Sequence, residues 1–212
     1  MTPLYGPIGE AVEAALRGEL IVFPTDTVYG IGTRPDDPAA TARVFEAKRR
    51  SRDLELPILV ANAEAARAVA VLDERTERLI QAFWPGPLTI VLARRTDASG
   101  WELGGDSATV GVRAPRHPMA FAILAETGPL AVTSANRSGQ PPASTCEELH
   151  ALFGDDVAVY LCEEEPLRGA ASTVVDLAHD AARVLRAGDV TASELAVVLP
   201  DEPSLLDSPP ST

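Results

Sequence analysis

The chain contains one lysine, Lys48, and fills its other seventeen basic positions with arginine. Arginine presents a planar fork and lysine a compact charge on a flexible stem. The two are not exchangeable where an anion such as a nucleotide phosphate is gripped as a point charge. Cysteine is equally scarce. Cys146 and Cys162 are too few for a disulfide framework and lack CxxC spacing, which fits a reducing, cytoplasmic home. His117, His150 and His179 have no metal-ligand spacing with cysteine or with one another. No apolar run reaches about eighteen residues, so no transmembrane helix is expected. No basic segment followed by an apolar stretch opens the chain, so no signal peptide is expected. GxxxxGK[ST], GxGxxG and GxSxG are all missing, which excludes the P-loop, the dinucleotide fingerprint and the nucleophile elbow. Positive charge is short overall: 18 basic residues against 31 acidic leave −13. Broad, nonspecific nucleic-acid binding needs a positive footprint and is not expected.

What is present is concentrated. Five of the 18 basic residues fall between Arg43 and Arg52. Of 212 residues, 46% are apolar, enough for a sizeable core in one domain. Ile8, Val12, Ala15 and Leu16 share a face of a helix over 8–17, with Gly18 past its end. Leu20 to Phe23 reads as a buried strand stopped by Pro24. Asp37-Pro38 opens a helix running to about Arg49. Strands are expected at 56–61, 88–93, 109–113, 130–133, 157–161, 173–177 and 183–186. Helices are expected at 63–70, 74–83 and 118–126. Ser144-Thr145-Cys146-Glu147 and Thr191-Ala192-Ser193-Glu194 resemble capping boxes before two more. Interleaved helices and strands predict an α/β domain over residues 1–199, with a mixed sheet because 173–177 and 183–186 look like a hairpin. Residues 200–212, rich in Pro, Ser and Asp, are expected to be a disordered tail.

Four polar segments sit at strand ends, where α/β folds build sites. They are Pro24–Gly30, the basic run at Lys48, Thr133–Gly139 and Ala171–Thr173. Each alone is an ordinary turn composition. Together they supply hydroxyls, one amide, one lysine and several arginines, an inventory for holding anions and polar small molecules.

Seven blocks follow one another in a recognisable order. They are Pro24-Thr25-Asp26-Thr27-Val28-Tyr29-Gly30, Lys48-Arg49-Arg50, Trp84-Pro85-Gly86-Pro87-Leu88-Thr89, Val112-Arg113-Ala114-Pro115, Ser134-Ala135-Asn136 with Ser138-Gly139, Ser172-Thr173-Val174-Val175-Asp176 and Leu185-Arg186-Ala187-Gly188. This order resembles the YrdC-like threonylcarbamoyl-AMP synthases, in their short bacterial form, over roughly residues 8–199. The resemblance implies a twisted mixed sheet with flanking helices around a concave basic cavity. It implies a nucleotidyltransferase that condenses L-threonine, bicarbonate or CO₂, and ATP to threonylcarbamoyl-AMP and pyrophosphate. The product would pass to a tRNA threonylcarbamoyl transferase complex that modifies adenosine 37 of ANN-decoding tRNAs.

The same resemblance assigns residues. Lys48 and Arg50 match a KxR motif and would neutralise phosphate charge. Ser134 and Asn136 match SxN and would hydrogen-bond the nucleotide, and Arg186 would also contact ATP. Thr27, Arg113 and Ser172 match the threonine side. Tyr29, Thr133, Ser138 and Ser144 stand second, Thr133 toward threonine and Ser144 toward ATP. Mg²⁺ would ride on ATP, with no protein ligand assigned. No membrane contact and no strong direct tRNA binding are expected.

Two departures stand out. Many members carry proline after KxR and Pro-Leu a few residues on, and some longer ones place a histidine soon after. Here Ser51 and Glu55-Leu56 occupy those places, and no histidine occurs between Thr2 and Arg116. Other readings remain: an RNA- or ribosome-binding module, a paralogue without the reaction, and the carbamoyl-adenylate branch of larger carbamoyltransferases. The −13 charge opposes the first. Intact KxR and SxN oppose the second. The third would carry appended domains that this chain lacks.

Overall fold

The apolar run before Pro24 forms β1 (Ile21–Phe23), and it is apolar throughout because both its faces are covered. Leu20 and Val22 enter one core, Ile21 and Phe23 another on the opposite face. Strand alternation makes that split. The computed structural model describes residues 8–206 apart from 99 and 168. Among them β1 is joined by β2 (Gly30–Thr33), β3 (Ile58–Leu59), β4 (Leu88–Ala93), β5 (Thr109–Arg113), β6 (Leu130–Ser134), β7 (Val159–Tyr160), β8 (Thr173–Asp176) and β9 (Arg183–Arg186). They make one sheet of order β7-β1-β2-β6-β3-β5-β4-β8-β9. The β1–β7, β3–β5 and β4–β8 pairs are parallel and the others antiparallel, so the sheet is mixed as expected.

β2 was not expected as a strand, because Gly-Ile-Gly-Thr lacks the usual strand enrichment. Its glycines have a packing reason. A Cβ on Gly32 would lie 2.4 Å from the Ala131 carbonyl oxygen and 2.6 Å from a Val132 methyl of β6. The two strands approach too closely there for any side chain.

Seven helices flank the sheet among the described residues: α1 (Ile8–Leu16), α2 (Pro38–Lys48), α3 (Ala63–Val69), α4 (Glu74–Phe83), α5 (Pro118–Thr127), α6 (Cys146–Phe153) and α7 (Ala192–Val198). Asp37 caps α2 by accepting from the Ala39 amide at 2.9 Å. The box before α7 is Thr191–Glu194 as expected. The one before α6 sits a residue later than expected, at Thr145–Glu148. The buried face of α1 is also rotated from the expected stripe. Ala11, Ala14 and Ala15 are buried, while Ile8 and Leu16 are 38% and 43% exposed. α1 packs on α5, and small residues let the two helices approach.

The layout of the sheet's two faces positions the site. α2, α3, α4, α6 and α7 all contribute to the larger core on one face. On the other face α1 and α5 cover Ile21, Phe23, Leu130 and Leu161. The rest of that second face, across β3, β5, β4, β8 and β9, borders a cavity.

Two expectations need correction. Cys146 and Cys162 are joined as a disulfide, with Cα atoms 5.8 Å apart and both residues buried. They are 16 residues apart, and that spacing alone does not show that the chain after β7 returns to the start of α6. Residues 200–206, expected in a disordered tail, belong to the folded part of the chain. Leu205 is fully buried, Glu202 bonds Arg75 at 2.8 Å, and the Ser204 hydroxyl donates to the Ala182 carbonyl at 2.8 Å. A polar composition hides a single apolar anchor. Residues 207–212 lie outside the described residues. No described helix is long and apolar enough to cross a membrane.

Candidate functional site

A cavity of about 280 Å³ opens on the uncovered half of the sheet face. Strand alternation selects its lining. Leu88, Ile90 and Leu92 of β4 and Val110 and Val112 of β5 enter the larger core. The residues between them, Thr89, Val91, Gly111 and Arg113, line the cavity. Val174 of β8 and Arg186 of β9 complete that side.

The corner beneath β1 is organised by one hydroxyl. Thr25 Oγ1 donates to the Val28 carbonyl at 2.6 Å and accepts from the Thr27 and Val28 amides, each at 3.2 Å. That turn presents Thr27, whose Oγ1 accepts from Arg113 Nη1 at 2.8 Å and lies 3.0 Å from Thr25 Oγ1. Arg113 is further held by Asp26 at 2.5 Å and by the Gly86 carbonyl at 2.9 Å. Burial pushes the Arg113 pKa down and Asp26 holds it up. Among the described residues three of its five donors are committed, which leaves two for an incoming carboxylate.

The opposite corner is built from β8 and β9. Arg186 donates to the Ser172 carbonyl at 3.0 Å and to its hydroxyl at 2.9 Å. That hydroxyl also pairs with Thr89 Oγ1 at 2.8 Å. Arg50 reaches the rim from the end of α2, donating to the Leu54 carbonyl at 3.3 Å and the Glu55 carbonyl at 2.9 Å. Burial, then the neighbouring Arg186, lowers the Arg50 pKa. Among the described residues neither guanidinium has a carboxylate partner, and two crowded cations of this kind form a site that an anion would relieve.

Lys48 and Arg50 diverge because Arg49 between them caps α2 in the left-handed conformation, with φ +50°. Arg50 faces the cavity, and Lys48 does not. Lys48 is 1% exposed and donates to the Ser134 carbonyl, to the Asn136 carbonyl at 2.6 Å and to Asn136 Oδ1 at 3.1 Å. Burial, then Arg50 and Arg137, pull its pKa down to about 7. Three acceptor oxygens stand at its tip, one for each proton of the ammonium form. Asn136 is saturated too: Oδ1 accepts from Ser134 Oγ at 2.6 Å, and Nδ2 donates to the Arg137 and Gln140 carbonyls at 2.9 and 2.6 Å.

The cavity therefore gathers Thr27, Tyr29, Arg50, Arg113, Thr133, Ser134, Ser172 and Arg186 of the expected residues. Lys48 and Asn136 lie behind its wall. Ser138 is exposed, and Ser144 is engaged with Glu148 at 3.1 Å. Sequence reasoning missed Asp26, Thr89 and Glu55. Asp26 and Thr89 stood inside quoted blocks, and Glu55 was visible only as a departure from Pro-Leu. No group of three or more potential metal ligands occurs among the described residues.

A mixed sheet with an arginine-lined cavity in one half-covered face defines an α/β protein suited to anionic small molecules. The Sua5_yciO_yrdC family model, described as Telomere recombination, matches residues 13–188. A Mycobacterium tuberculosis relative is 42% identical over 91% of this chain and 88% of its own. The threonylcarbamoyl-AMP synthase of Bacillus subtilis is 31% identical over 91% of this chain and 56% of its own. Pyrococcus abyssi Sua5 complexed with L-threonine superimposes with a TM-score of 0.82 at 34% identity, covering 91% of this chain and 57% of that one. The chain belongs to the Sua5/YciO/YrdC family.

Proposed function

We propose that this chain is an L-threonylcarbamoyladenylate synthase, a nucleotidyltransferase acting on ATP, L-threonine and CO₂ or bicarbonate. The observation that carries the reading is the cavity wall. It brings together Arg50, Arg113 and Arg186, from the end of α2, β5 and β9, with the hydroxyls of Thr27, Thr89, Ser134 and Ser172. Three cations suit a substrate set with a carboxylate at one end and a triphosphate at the other.

Arg113 would clamp the threonine carboxylate with its two uncommitted donors. The Thr89–Ser172 pair would read the threonine hydroxyl. Arg50 and Arg186 would take the phosphates, and Ser134 the nucleotide. Threonine carbamate must meet the α-phosphorus in line, and the two anions repel each other. Fixed cations lower that barrier, and holding both reactants supplies proximity. Lys48 and Asn136 would act from behind the wall by fixing the loop that carries Thr133 and Ser134. A direct Lys48–phosphate contact would require its ammonium to leave three oxygens. Mg²⁺ would ride on the phosphates, since the described cavity lining offers Glu55 as its one carboxylate. The intermediate would pass to a tRNA threonylcarbamoyl transferase complex in the cytoplasm.

The test is pyrophosphate release from ATP and bicarbonate with and without L-threonine. Release that depends on threonine is expected. Equal release in both arms would refute the assignment.

A further inference from the structure

Among the described lining residues one carboxylate stands against three arginines: Glu55. Its Oε1 is buried with no hydrogen-bond partner among the described residues. The cation beside it, Arg94, holds Nη2 at 3.9 Å, too far for a hydrogen bond. Arg94 donates Nη1 to the Trp101 carbonyl at 3.1 Å and leaves Nε and Nη2 buried without partners. The pair does not satisfy itself. Unpaired buried polar atoms are costly and uncommon. Oε1 is turned inward toward Arg94, and the Glu55 side chain keeps 19% of its surface exposed, at the cavity wall.

The surroundings of Glu55 are charged on several sides. Arg94 lies at the end of β4, Asp106 in the loop before β5, Arg50 at the end of α2 and Arg186 in the cavity lining. Arg50 bonds the backbone carbonyl of Glu55, not its carboxylate. Burial, with Asp106, raises the carboxyl, and Arg94 and the Gly111 amide oppose them; the result is about 7. The stretch following KxR carries no histidine here, so its group titrating near neutrality is this carboxyl.

Three arginines can hold phosphates and carboxylates. None can hold an ammonium, the one cationic group of an α-amino acid. Glu55 sits against Gly111, and Gly111 and Arg113 share the cavity face of β5, roughly 7 Å apart along the strand. Both Glu55 and Arg113 line the same cavity, so an amino acid bound there meets a cation for its carboxylate and an anion for its ammonium.

We propose that Glu55 receives the amino group of the amino-acid substrate and takes the proton that group must lose before attacking CO₂. This rests on the synthase reading. One N–H bond of the ammonium breaks, and its electron pair stays on nitrogen. The proton passes to the Glu55 carboxylate, so a +1 and a −1 group become two neutral ones. The nitrogen lone pair then forms the N–C bond to CO₂, and a C=O π pair moves onto oxygen. The second nitrogen proton leaves to solvent, completing the carbamate. A base that titrates near the working pH is well matched to this transfer.

The test follows threonine-dependent pyrophosphate release against pH for wild type, Glu55→Gln and Glu55→Asp at saturating ATP and fixed CO₂. Wild-type kcat/KM for threonine should rise with pH through about 7 and then level. Glu55→Gln should lose that limb and fall at least about 100-fold near neutrality, with ATP affinity and melting temperature retained. Glu55→Asp keeps the carboxylate one methylene short and should keep a limb at reduced rate, which covers the case in which the glutamine variant fails to fold. A glutamine variant within twofold of wild type overturns the inference and leaves the synthase reading intact. So does a loss restored by raising Mg²⁺, which would make Glu55 a metal contact. Wild type without threonine-dependent release refutes the synthase reading and takes this inference with it.

Discussion

One face of the sheet is solved in two ways. Over β1 and β6 it presents Ile21, Phe23 and Leu130, and α1 and α5 close upon them. Over β4, β5, β8 and β9 it presents Thr89, Gly111, Arg113, Val174 and Arg186, and no described helix covers them. The backbone follows the same pleat in both halves, and the opposite-facing residues of β1, β4 and β5 enter one shared core. Only the choice of residue at alternate positions differs. Apolar side chains attract a helix, and polar ones leave room for a ligand. The covered half sets stability and the open half sets recognition, so substitutions in each should separate the two properties.

The largest effect is expected in the covered half. Phe23→Ala deletes a fully buried ring between the sheet and its two helices. It should cost about 4 kcal/mol in urea-induced unfolding. The remaining folded protein should keep its threonine KM within about twofold. A threonine KM that rises in step with lost stability would show that the halves are coupled.

Asp26→Ala tests the open half. It removes the carboxylate from Arg113 and also from the Arg116 amide, at 3.0 Å. Arg113 is 5% exposed, so its charge would be left buried without the carboxylate it bonds, with only the unbonded Asp189 still favouring it. About 3 kcal/mol of stability should be lost. Here, unlike Phe23→Ala, threonine KM should rise at least about tenfold, because the guanidinium loses the anchor that aims it. An unchanged KM would separate Arg113 from substrate recognition.

The sequence made the strands and helices easier to read than the layout of the site. Leu20–Phe23 and Leu88–Ala93 are apolar runs of strand length, and Asp37-Pro38 announces α2 by a cap and a proline. These are local signals, and the strands and helix formed where expected. β2 was missed because its glycines answer to the neighbouring β6, a contact no window of sequence contains. The face of α1 was misjudged for a similar reason: Ala11 and Ala14 matter through closeness to α5, not through hydrophobicity. In the site, the arginines and hydroxyls were legible as chemistry. What lay beyond reach was which of them faces the cavity. Arg49 decides that for Lys48 and Arg50 by one left-handed φ angle. The Cys146–Cys162 pairing likewise depends on a meeting in space, not on spacing.

Lys48 lies between the two halves and should give the smallest loss of stability. Its ammonium fills a closed pocket of three oxygens from Ser134 and Asn136. Lys48→Arg preserves the charge but asks a longer, planar group to fit where a compact one is 1% exposed. Overpacking should cost about 2 kcal/mol, and the Ser134–Asn136 loop should shift to accommodate it. Because Thr133 and Ser134 line the cavity, ATP-dependent turnover should fall steeply while the protein stays folded. Lys48→Met then distinguishes the two ways lysine could act. If Lys48 works by holding the loop, both variants should lose ATP affinity to a similar degree. If it works as a charge near phosphate, the arginine variant should keep much of the affinity that methionine loses. Wild-type turnover in Lys48→Arg would mean that the chain's one lysine is no more than a replaceable strut.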